Sequence, residues 1–161
     1  MKRLVLLVGC ALALAAGAAS AKEEAGSSAG PLGRWVTSSG NLEVEIAPCG
    51  NALCGTVVKV LANHSMSPGG GEMKPADPRD PMGMKILSDF VASEFSEDGG
   101  ARVPVAWRGE IYNRENAKTY ACTMRVGESG ELVLRGYVGI PLFGSTSMWT
   151  RAGGEVLGEA R

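Results

Sequence analysis

The sequence predicts an all-β fold, an antiparallel barrel or sandwich of short strands. Two observations predict it. Apolar and polar residues alternate with period two in several separate runs, and turn-forming Ser, Gly and Asn clusters punctuate those runs.

The elements follow in order. Ser38-Ser39-Gly40-Asn41 is a turn, after which Leu42, Val44 and Ile46 alternate with Glu43 and Glu45. That is a half-buried strand with one apolar face. Pro48-Cys49-Gly50-Asn51-Ala52-Leu53-Cys54-Gly55 reads as a tight turn into a second, β-branched strand over 56–61. Further along, Val105, Trp107, Gly109 and Ile111 share one face. Tyr120, Cys122, Met124 and Val126 share the next, and Leu132, Leu134, Gly136 and Val138 the one after. Turn signals at 113–117 and 127–130 separate these runs.

Residues 62–102 read as one irregular insertion. They carry Ser67-Pro68-Gly69-Gly70-Gly71 and prolines at 75, 78 and 81, a composition that opposes regular structure. Within it, 85–95 suits a short helix or an edge segment with Ile86, Leu87 and Phe90 facing in. Such an insertion serves as a lid or binding loop, or as a tether.

The N-terminus reads as a secretory signal. Lys2 and Arg3 precede a short apolar run, and Ala19-Ser20-Ala21 fits a signal-peptidase site. The run is shorter than the roughly 20 apolar residues that span a bilayer. Leu7-Val8-Gly9-Cys10 resembles a lipobox, but the apolar stretch before Cys10 is too short for a signal core of about 7–15 residues. The expectation is cleavage after Ala21 and a periplasmic or secreted product. Residues 22–31 read as a disordered leader, 32–152 as one β-barrel domain and 153–161 as a flexible tail.

Charge and cysteines narrow the function classes. The chain has 16 basic and 17 acidic residues, or 14 and 17 without Lys2 and Arg3. That mild negative balance disfavours nucleic acid as a partner. In an oxidising compartment Cys49 and Cys54 form the natural disulfide. Cys122, in an inward-facing class, reads as a buried free thiol.

No catalytic constellation stands out. His64 is the one histidine and sits in the insertion, so Ser-His-Asp and Cys-His chemistry lack a positioned base. Asp77, Asp80 and Asp89 lack the spacing of a calcium loop and read as charge on a solvated loop. No cofactor is called for. His64, Met66, Met73, Met82 and Met84 give two readings: soft ligands for Cu(I), or apolar lid contacts.

The inward class of Leu42, Val44, Ile46, Trp107, Ile111, Tyr120, Met124 and Leu134 also has two readings. It is either a packed core or the lining of a pocket for one small apolar ligand. Tyr120 would place a hydroxyl among apolar groups, where it needs a partner.

Several motifs occur together: Gly33-Arg34-Trp35, Pro48-Cys49-Gly50 with Leu53-Cys54-Gly55, Trp107-Arg108-Gly109-Glu110-Ile111-Tyr112-Asn113, Lys118-Thr119-Tyr120, Leu134-Arg135-Gly136-Tyr137-Val138-Gly139 and Trp149-Thr150-Arg151. In this order they resemble a family of small secreted bacterial proteins labelled only as a domain of unknown function. The resemblance spans residues 33–151. It implies a lipocalin-like (calycin) up-and-down barrel of about eight strands and supplies no catalytic residues. As in lipocalins, Trp35 is expected to pack structurally under an arginine, either Arg151 or Arg135. The 113–117 turn departs from the family's Asp-Pro-x-x-Gly, so Asn116 is expected to take any left-handed conformation.

Two main functions remain open. One is an exported, non-enzymatic binding protein for a small apolar or amphipathic ligand. The other is a filled barrel acting as an envelope or secreted interaction module through exposed Tyr112, Arg135 and Tyr137. Cu(I) binding by the Met-rich insertion is a third.

Overall fold

The computed structural model describes residues 30–153. Eight strands follow in order: β1 Gly33–Val36, β2 Leu42–Cys49, β3 Ala52–Val60, β4 Lys85–Asp98, β5 Ala101–Asn113, β6 Lys118–Val126, β7 Leu132–Tyr137 and β8 Ser145–Arg151. Each pairs antiparallel with the next. β8 returns to β1 with Trp35 opposite Arg151 and Val36 opposite Thr150. The sheet therefore closes into an up-and-down barrel, which removes its free edges. The signal expected over 1–21, and most of the expected leader and tail, lie outside the described residues.

Up-and-down order places successive turns at opposite ends. The β2–β3, β4–β5 and β6–β7 turns share one end with the start of β1 and the finish of β8. That end is shut. The Arg151 guanidinium lies 4.0 Å from the centroid of the Trp35 ring, a contact worth about 0.5–2 kcal/mol. Arg151 also donates to the carbonyls of Leu32 (2.6 Å) and Gly30 (2.7 Å), and Trp35 Nε1 donates to the Pro31 carbonyl at 2.8 Å. Gly30 and Pro31 thus belong to the barrel rather than to a disordered leader, because their carbonyls satisfy donors that the closed end buries. The Cys49–Cys54 disulfide staples the β2–β3 turn at the same end.

Above this seal lies a packed layer of Trp35, Val44, Ile46, Val57, Leu87, Phe90, Trp107, Met124, Leu132 and Leu134. Full burial of such side chains stabilises the fold by about 1.5–3 kcal/mol each. Gly109 makes the layer possible. A Cβ there would meet the Ser88 carbonyl at 2.5 Å and the Phe90 ring at 2.7 Å.

The 62–102 insertion is corrected by β4. Residues 85–98 are neither a short helix nor an edge segment, but a strand paired with both β3 and β5. Bulges hide its period. Gly55 pairs with Leu87 and Thr56 with Lys85, so Ile86 is an extra residue. On the other side Ser88 pairs with Glu110 and Val91 with Arg108, so Asp89 and Phe90 together face Gly109. Asp89 takes φ 58° to achieve this. Ile86, Leu87 and Phe90 consequently all point inward, a spacing that mimics a helix. The β4–β5 turn is a two-residue hairpin at Gly99-Gly100, both with positive φ.

What remains irregular is 61–84, and it is held as a strap across the open end. Asn41 is buried, and its side chain clasps the His64 backbone: Nδ2 donates to the carbonyl at 2.7 Å, and Oδ1 accepts from the amide at 2.8 Å. Asn63 Nδ2 donates to the Met73 carbonyl at 3.1 Å. The Ser65 hydroxyl donates to the Glu115 carboxylate, which also accepts from the Met66 amide at 3.0 Å.

Candidate functional site

The open end is ringed by the β1–β2 turn, the strap, the β5–β6 turn and the β7–β8 loop. Beneath them is a cavity of about 800 Å³. Its apolar wall comes from Leu42 on β2, Ile86 on β4, Ile111 on β5, Tyr120 on β6 and Trp149 on β8, with Met73 and Met84 from the strap. Gly136 on β7 leaves room: a Cβ there would touch only Ile111 at 3.4 Å and Tyr120 at 3.9 Å. The Tyr120 hydroxyl accepts a 2.7 Å hydrogen bond from Asn116 Nδ2. Trp149 Nε1 donates to the Ser147 hydroxyl at 3.0 Å, which lies 2.7 Å from the Ser38 hydroxyl. The polar tips therefore face the rim, and the ring faces line the wall.

The inward class divides by height. Leu42, Ile111 and Tyr120 line the cavity, whereas Val44, Ile46, Trp107, Met124 and Leu134 belong to the packed layer below it. Alternation reports which face a residue takes, not how far along the barrel it lies. The barrel is thus filled in its lower half and open in its upper half.

Asp77 is the second correction. It is not on a solvated loop but buried, only 6% exposed. Its carboxylate accepts 2.6 Å bonds from Arg79 Nη2 and from the Tyr112 hydroxyl. The Arg79 guanidinium, and after it the Tyr112 hydroxyl, hold the Asp77 carboxyl well below the usual carboxylate range. The same bond to Asp77 raises the Tyr112 hydroxyl above its ordinary value. Tyr112 is therefore a strap anchor rather than an exposed contact residue. Arg114 adds a bond from its Nε to the Arg79 carbonyl at 3.2 Å.

Arg135 is far from Trp35. It fastens the β7–β8 loop through the carbonyls of Pro141 (2.5 Å) and Leu142 (3.0 Å) and the Thr146 hydroxyl (2.8 Å). That loop forms an apolar lip with Val138 74% and Phe143 78% exposed. Ala117 at φ 55°, not Asn116, takes the left-handed position of the β5–β6 turn. Asn116 is occupied, since its Oδ1 accepts from the Lys118 amide.

Met82 and Met84 both line an outer cleft of about 520 Å³ with Arg79, Asp80, Lys85 and Glu110, and Met84 lines the cavity as well. Met66, half exposed, and Met73, buried, line the cavity, and His64 is exposed on the strap. Among the described residues, no three His, Cys, Asp or Glu side chains are grouped to hold a metal.

A family model described as an uncharacterized protein conserved in bacteria (DUF2147) matches residues 33–151. The chain belongs to this family. A solved structure, described as protein HP1028 from the human pathogen Helicobacter pylori belonging to the lipocalin family, is similar at 19% identity and a TM-score of 0.52. The match covers 77% of this chain and 84% of that one. The fold is thus lipocalin-like. No curated protein matches the chain.

Sequence reasoning missed Gly136, Trp149 and Arg114 as cavity residues, while it had Ile86 facing inward and Met84 as one reading of an apolar lid contact. Gly136 carried a usable signal. An inward-class glycine among large apolar residues marks a place where the barrel is left open.

Proposed function

We propose that this protein is an exported, non-enzymatic carrier that holds one small apolar or amphipathic molecule in the upper half of its barrel. The observation behind this reading is the cavity of about 800 Å³ above a packed floor. Its size, and its apolar wall beneath a rim of hydroxyl and amide groups, suit a small-molecule site. Leu42, Ile111 and Tyr120 would contact the ligand, with Ile86, Trp149 and Met84 beside them. The lipocalin-like fold supports a binding role by analogy. Export rests on the leader sequence and agrees with the Cys49–Cys54 disulfide, which persists in oxidising compartments.

The filled-barrel reading has less support. The upper half is open, and Tyr112 and Arg135 are both engaged in internal hydrogen bonds.

Native mass spectrometry of residues 22–161, purified from the native periplasm, tests the carrier reading. The expected result is a discrete extra mass that is lost on denaturation. Gly136→Phe should remove that mass and keep the barrel folded, because its ring would occupy the cavity. A bare protein mass in the wild type, unshifted by added alkyl ligands, would overturn the reading. Recovery of the protein in the cytoplasmic fraction would overturn export.

A further inference from the structure

We infer that the ligand is an amphiphile with a single anionic head, and that Arg114 is the residue that selects it. The inference rests on the carrier reading and adds the chemistry of the head. Of all the side chains that line the cavity, Arg114 alone carries a formal charge. The rest are apolar, hydroxyl, amide or backbone groups, so any charge recognised there is recognised by this guanidinium.

Among the described residues, none forms an ion pair with Arg114; the ion pairs are Arg34 with Glu43 and Glu45, and Arg79 with Asp77. Two carboxylates beside Arg114, Asp77 on the strap segment bonded to its carbonyl and Glu115 next in the chain, are already engaged. Asp77 serves Arg79 and Tyr112, and Glu115 serves Ser65 and the Met66 amide. Arg114 uses its Nε to hold the Arg79 carbonyl at 3.2 Å. That bond orients the planar group and leaves its terminal nitrogens available. A guanidinium presents paired N–H groups that match a carboxylate or a phosphate monoester. The mature chain is net negative, so an unpaired cation at the mouth of its apolar cavity runs against the overall charge. The ligand's tail would lie against Ile86, Ile111 and Trp149, and its head would stay at the β5–β6 turn.

Decanoate and decan-1-ol share a chain and differ in the head, so their binding by calorimetry separates the two parts. Wild type should bind decanoate about tenfold tighter than decan-1-ol, the difference one charge-assisted hydrogen-bonded contact makes. The preference should shrink in high salt. Arg114→Met should abolish the preference, weakening decanoate about tenfold more than decan-1-ol. Arg114→Glu should invert it, so that decylamine binds better than decanoate, a readout that survives a modest loss of stability. Equal wild-type affinities, or an unchanged decanoate preference in both variants, would overturn the head assignment and leave the carrier reading intact, provided Gly136→Phe still blocks decan-1-ol. If no decyl compound binds the wild type, the head assignment and the carrier reading fall together.

Discussion

The hydroxyl of Tyr112 on β5 donates a 2.6 Å hydrogen bond to the carboxylate of Asp77, 35 residues earlier in the chain. Through this bond the strap over the cavity is tied to the barrel wall. Arg79 completes the knot from the same side.

The knot makes strap stability depend on acid. Arg79 first, and then Tyr112, lower the Asp77 pKa from its ordinary 3.8. A depressed carboxylate stabilises the folded state fully above its unfolded pKa, and that stabilisation is lost as pH falls through the folded value. Asp77→Asn should therefore melt below wild type at pH 7. The gap should narrow steadily once the pH drops under about 4. Calorimetric melting of both proteins from pH 7 to 2 checks this, and a gap independent of pH would refute it.

Gly109 is predicted to be intolerant of any side chain. Gly109→Ala places a methyl group against the Ser88 carbonyl and the Phe90 ring. Overpacking of this kind costs about 1–3 kcal/mol. Urea denaturation should show the loss as a lower midpoint at an unchanged slope.

The Ala117 conformation predicts the opposite sign. A non-glycine residue at φ 55° carries a penalty of about 1–2 kcal/mol. Ala117→Gly relieves it and adds unfolded-state entropy of about 0.4–1 kcal/mol. The net expectation is a gain of about 0.5–1 kcal/mol, visible as a raised melting temperature.

Cys122 should be inert in the folded protein. It is fully buried, its thiol donates to the Thr123 carbonyl at 3.3 Å, and burial pushes its pKa up to about 12. Thiolate is the reactive form. Iodoacetamide should leave native residues 22–161, which lack Cys10, unlabelled at pH 8 and label one thiol after denaturation without reductant.

Local pattern was enough for much of the fold. Alternation in 42–46, 107–112, 119–126 and 131–136 placed four strands and their inner faces, because side-chain direction in a strand is a local property. It failed at Val105, 42% exposed beside a register shift, and at Val138, 74% exposed beyond the end of β7. The five-residue separation of Cys49 and Cys54 sufficed for the disulfide. β4 was not legible, since the bulges at Ile86 and at Asp89-Phe90 place Ile86, Leu87 and Phe90 on one side at spacings that period two forbids. The bulges exist because of the partners, Gly55 and Gly109, that face them across the sheet.

The sequence by itself determined the all-β class, the inward face of four strands, and the disulfide, all of which depend on neighbours a few residues apart. Tertiary structure alone decided the height of each inward residue. It made Leu42, Ile111 and Tyr120 cavity wall and Val44, Ile46 and Leu134 floor. It also chose Arg151 over Arg135 as the cation on Trp35, and it joined Asn41 to His64 and Tyr112 to Asp77. Those outcomes follow from barrel closure, which brings residues far apart in the chain to one end of the same cylinder. No local periodicity encodes that register.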